Sequence, residues 1–152
     1  MQPVPTSHWP YYYRYPVTRY DFQKLALIRL EEARVLLRDE KYAGCYYLSG
    51  YVVECGLKAC IARLTRRYDF PDRSLQGVYT HNLTQLLNMA KLAVAQTSEA
   101  KRDDKFKFNW QAAKDWNEQS RYESPGKKQA EELFDAVANR KHGVLRWIRQ
   151  HW

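Results

Sequence analysis

Four side chains have the types and spacing to do chemistry together: Glu54, Lys58, His81 and Arg121. Glu54 and Lys58 stand four residues apart with the glutamate first, the favoured order for an ion pair along a helix face. His81 and Arg121 fall on loops that would converge over that helix. A histidine can move a hydroxyl proton, and an arginine can steady charge developing on a phosphate. Such a pair could act on a ribose 2′-hydroxyl and its phosphodiester without a metal. The same residues have a plainer reading. A carboxylate on an apolar helix must be paired. Lys58, with Arg121 closing on Glu54, would make a polar network that holds the loop of Trp116, Arg121 and Tyr122 onto the fold. His81 would then be a cap or a satisfied core histidine. At a helix N-terminus it would stay neutral and bind phosphate poorly. We read the group as a structural network or pocket lining.

The element that must carry Glu54 runs from Tyr42 to about Tyr68. It is apolar on nearly every face and has no proline, so it reads as a helix surrounded by others. Gly44, Gly50 and Gly56 each cost roughly 1 kcal/mol in a helix interior. Close approach of a neighbouring backbone would explain them. A first helix is expected from about Asp21 to Asp39, capped by Thr18 or Asp21, with Phe22, Leu25, Ala26, Arg29, Ala33, Leu36 and Leu37 near one face. The short link Asp39–Lys41 makes these two helices antiparallel neighbours. A third helix is expected from Thr80, its candidate N-cap, with Leu83, Leu86, Leu87, Ala90 and Val94 facing inward. The charged stretch 98–109 reads as a loop, Trp110–Asn117 as a short helix, and Lys128–Arg149 as the last helix, loosened locally at Gly143. The fold class is all-α, an antiparallel four-to-five-helix bundle over residues 18–152. Residues 1–17 hold prolines that forbid a helix and read as an extended arm. Trp9, Tyr11, Tyr12, Tyr13 and Tyr15 could stack on bases beside Arg14 and Arg19; packing on the bundle or a second subunit is simpler.

The chain has 152 residues and a formal net charge of +8, which permits a polyanionic partner. The densest basic cluster, Arg63, Arg66 and Arg67, also suits a helix C-terminus. Cys45, Cys55 and Cys60 lack zinc-ligand spacing and read as buried, reduced thiols. Asp103-Asp104 has no matching histidine, and no phosphate-binding glycine loop is present. These features leave NTPase and metallohydrolase classes unsupported, and neither a metal nor another cofactor is expected. No apolar run is long enough for a membrane span, and the start shows no secretory pattern, so a cytoplasmic protein is expected.

The segment Ala43-Gly-Cys-Tyr-Tyr-Leu-Ser-Gly-Tyr-Val-Val-Glu-Cys-Gly-Leu-Lys-Ala59, followed by Phe70-Pro71, His81-Asn-Leu83 and Trp116…Arg121-Tyr122, resembles the HEPN domain superfamily over about residues 22–150. The resemblance implies a compact helical bundle and a homodimer, often beside a nucleotidyltransferase or in a defence or toxin–antitoxin system. It also implies a nucleotide, RNA or protein ligand. Many such proteins cut RNA without a metal through Arg-x4–6-His; others lack the motif and act as binding modules or structural partners. Here Arg146-Trp-Ile-Arg-Gln-His151 fits the spacing. It lies in the last residues, where helices fray, and Trp147 follows the arginine where the motif has a polar residue. His81 and Arg121 are therefore the first catalytic candidates and Arg146 and His151 the second. A binding module is expected ahead of an endoribonuclease.

Overall fold

The computed structural model describes residues 17–64 and 79–152. The arm aromatics, Arg66, Arg67, Tyr68 and Phe70-Pro71 lie outside the described residues. Helix α1 (Arg19–Arg38) starts at a capping box: the Thr18 hydroxyl accepts the Asp21 N–H at 3.2 Å, and the Asp21 carboxylate accepts the Thr18 N–H at 2.8 Å. These bonds hold the Asp21 carboxyl below the usual carboxylate range. Glu40 turns the chain at φ 59°, and α2 (Tyr42–Leu64) runs back along α1. Ala26 and Ala33 are the fully buried residues of α1; their small side chains let the helices approach.

Helix α2 is the axis of the bundle. It contacts α1, α3 (Leu83–Met89), α6 (Lys127–Ala138), α7 (Val144–Ile148) and the 3-10 turn Glu118–Tyr122. Val52, Val53, Leu57 and Ile61 join one core with Leu83 and Leu86 of α3, Phe106 and Trp110 of α5 (Asp104–Lys114), and Trp147 and Ile148 of α7. Among the described residues every element is helical, and no helix is long and apolar enough to cross a membrane. The glycines of α2 face side chains, not a neighbouring backbone. Gly44 faces Leu36, Gly56 faces Ile148, and Gly50 lies under the indole of Trp116.

The later elements depart from the expected ones. The third helix is two: α3 is capped by Asn82, whose Oδ1 accepts the Gln85 N–H at 2.9 Å, and Lys91 at φ 57° breaks the path before α4 (Ala93–Arg102). Thr80 supports the cap by accepting the Asn82 N–H. The break changes the helical register, so Val94 is 80% exposed rather than in the core. Stretch 98–109 is helical except at Asp103, whose extended backbone and side-chain cap launch α5. The expected short helix therefore starts at Asp104, not Trp110. The last helix is broken at Asn139–Gly143, where the Asn139 Oδ1 accepts the N–H groups of Lys141 and His142. Gly143 does more than loosen a helix: a Cβ there would stand 2.3 Å from the Asn139 carbonyl oxygen.

Two predictions follow from this packing. A Cβ on Gly50 would meet Trp116 ring atoms at 2.0–2.2 Å, and Trp116 is itself 2% exposed. Gly50→Ala should cost about 3 kcal/mol, whereas Gly44→Ala, facing the free end of Leu36, should change stability by under about 1 kcal/mol. Urea denaturation checks both, and equal effects would remove Trp116 from its seat. Burial pushes the Cys55 and Cys60 thiols up to about 12. Native protein at pH 8 should resist a thiol-disulfide reagent until it is unfolded.

Candidate functional site

Glu54 enters the core because α2 is buried on that side, and it is 1% exposed. Both of its carboxyl oxygens are bonded, as a buried polar group requires. Oε1 accepts from Lys58 Nζ at 2.6 Å, and Oε2 accepts from His81 Nδ1 at 2.8 Å. Lys58 is 13% exposed and His81 34%. With Nδ1 bonded to Glu54, the His81 Nε2 has no hydrogen-bond partner among the described residues. The His81 ring also lies 6.4 Å from that of Tyr51, which meets Trp116 edge-on. Burial, then the Glu54 charge, pushes the Tyr51 phenol upward. The network ties the middle of α2 to the segment entering α3.

Arg121 is not part of it. Both Glu54 oxygens are held by other residues, and Arg121 lies 4.8 Å over the ring of Tyr122 in the exposed part of the 3-10 turn. The turn buries Ser120 against the bundle, which sends the next two side chains to solvent. The structure therefore brings Glu54, Lys58 and His81 together and leaves Arg121 and Tyr122 apart from them.

Arg146 and His151 diverge. His151 sits edge-on to Trp147 at 4.9 Å and lines a cleft of about 240 Å³ with Ser98, Glu99 and Arg102. Burial, then Arg63, holds its imidazole below the ordinary range. Arg146 lines a different cavity. The C-terminus is not frayed: Arg19 donates to the Trp152 carbonyl, Arg63 donates to that of His151 at 3.1 Å, and Trp152 packs on the core.

The cavity that holds Arg146 measures about 350 Å³. Leu30 and Arg34 of α1, the end of α6, Arg140, Arg146 and Arg149 line it, and no carboxylate does. Arg34 pairs with Glu31 and stands 5.9 Å over Phe134; Arg149 stands 5.6 Å over Trp152. Among the described residues Arg140 and Arg146 make no ion pair. This gathering of four arginines was missed in the sequence because Arg34 is remote and Arg140 depends on the break at Asn139. Only the helical spacing of Arg146 and Arg149 pointed to it.

A second correction concerns Asp103. It does have a histidine: His142 Nδ1 donates to Asp103 Oδ2 at 2.7 Å, which lowers the Asp103 pKa. No group of three or more potential metal ligands gathers among the described residues. A family model for the HEPN domain matches residues 21–150. Neither a curated protein nor a solved structure matches the chain.

Glu54→Gln should cost about 2–3 kcal/mol, because it strips charge from a buried acceptor of two bonds. His81→Ala should cost about 1 kcal/mol, since one third of that ring already meets water. Equal, negligible losses in chemical denaturation would contradict the network. Because the folded-state pKa of His151 is lowered from 6.5, protonation favours the unfolded chain. Its contribution to stability is present above that value and fades as pH falls through the lowered one. His151→Gln should therefore flatten the loss of melting temperature between pH 7 and 5.

Proposed function

This chain belongs to the HEPN domain family, and on that footing we propose that it is a non-catalytic module that binds RNA at the four-arginine cavity. The supporting observation is the cavity itself. Arg34 is paired with Glu31, but Arg140 and Arg146 line the same space with no ion pair among the described residues; like charges near one space repel, and an anion relieves that cost. Guanidinium forks match phosphate oxygens in pairs. Arg140 and Arg146 are unpaired among the described residues and so are available. The overall charge of +8 favours the same partner.

Two placements argue for binding without cleavage. Arg146 and His151 line separate cavities. Arg121 lies over Tyr122, away from the His81–Glu54 pair. We also propose a homodimer. Leu27, Ile28 and Val35 of α1 remain exposed and could be covered by a second copy.

Single-stranded RNA should bind with an affinity that falls steeply with salt. Arg140→Gln combined with Arg146→Gln should make the log–log salt slope shallower by roughly 1.4, about 0.7 for each lost phosphate contact. Fluorescence anisotropy across a salt series measures this; an unchanged slope, or no binding at low salt, would overturn the proposal. RNA incubated with the protein and EDTA should stay intact. Cleavage that disappears in His151→Ala would establish the endoribonuclease alternative.

A further inference from the structure

A cleft of about 240 Å³ between α5 and the end of α6 is lined by Lys105, Phe108, Asn109, Asp135, Asn139 and His142. It is smaller than the roughly 300 Å³ at which ordinary ligand clefts begin. That size suits one flat ring rather than a whole cofactor. Asn139 lines this cleft and the arginine cavity alike, so the two spaces are neighbours across a single residue.

The walls suit a nucleobase. Phe108 is 67% exposed and offers an aromatic surface. Stacking on such a ring is a common way to hold an unpaired base of single-stranded RNA. His142 also lines the cleft, fixed by the bond from Nδ1 to Asp103 at 2.7 Å and by the bond from Asn109 Nδ2 to its carbonyl at 2.9 Å. Asp103 is fixed in turn as the cap of α5. The Oδ1 of Asn139 is occupied by two backbone N–H groups, which leaves its amide nitrogen to donate. Asp135 makes no ion pair among the described residues. Its carboxylate presents two coplanar acceptors. Of the four RNA bases, guanine alone carries two adjacent donors on one edge, N1–H and the 2-amino group. Its O6 suits an amide donor such as that of Asn139.

We propose that this cleft receives one guanine of a single-stranded RNA, stacked on Phe108 and read by Asp135, while neighbouring phosphates lie in the arginine cavity. The proposal rests on the RNA-binding reading above and adds a base preference to it. Asp135 and Phe108 are exposed, so their substitution leaves the core intact; circular dichroism verifies this.

The test uses a short oligouridylate, the same strand with one central guanine, and the same strand with adenine there. Anisotropy at fixed salt should show the guanine strand bound about tenfold tighter than the other two. Asp135→Asn should erase that difference without changing the salt slope for oligouridylate. Phe108→Ala should weaken the guanine strand by roughly tenfold. Equal, salt-dependent binding of all three strands, or a preference for adenine, would overturn the guanine pocket and leave the arginine cavity standing. Absence of salt-dependent binding to any strand would overturn both.

Discussion

The chain cannot carry one helix through Asn139–Gly143, and the placement of its reactive side chains depends on that break. Asn139 adopts an extended ψ of 129° and satisfies the N–H groups of Lys141 and His142 with its own side chain. Gly143 closes the turn against the Asn139 carbonyl, where a Cβ would not fit. The break turns Arg140 into the cavity shared with Arg34, Arg146 and Arg149, and it brings His142 to Asp103. Arg146 and His151, five residues apart beyond the break, line different spaces. An unbroken helix would have put these residues on another set of faces.

The turn has this effect only because α2 gives it a rigid wall. Trp116 lies on Gly50, Ile148 on Gly56, and the core residues of α3, α5 and α7 close around Val53, Leu57 and Ile61. Glu54 is the polar exception in that wall. Its two bonds offset its burial and tie the segment before α3 to the bundle. A histidine held by a carboxylate has the form of a proton-transfer group, but here Lys58 shares the carboxylate and Arg121 is elsewhere. Four exposed arginines, in contrast, line one cavity that no carboxylate lines.

Much of this was legible in the sequence where pattern is strong. The helix from Tyr42 and the Glu54–Lys58 pair follow from local spacing, Thr18 and Asp21 stand as alternative caps, and the family resemblance rests on the α2 segment and the short elements after it. The breaks at Lys91, Asp103 and Asn139 do not. Helix α4 and the start of α5 are rich in charge, so their helicity lacks the apolar period that marks a buried helix. Their caps are single side-chain bonds to backbone, which leave little trace in composition. The arginine cavity joins residues over a hundred positions apart, and the Asp103–His142 pair depends on two of those breaks. Sequence spacing reads residues along one helix well and residues across a turn poorly.

The central claim is that RNA phosphates are held by Arg34, Arg140, Arg146 and Arg149. An NMR titration following arginine side-chain Nε–H signals with a short single-stranded RNA tests it most directly. The account predicts that these four signals shift together, in proportion to bound RNA, and revert as salt is added. Shifts confined to Arg63, Arg102 or Arg121, with the four cavity arginines silent, would contradict it.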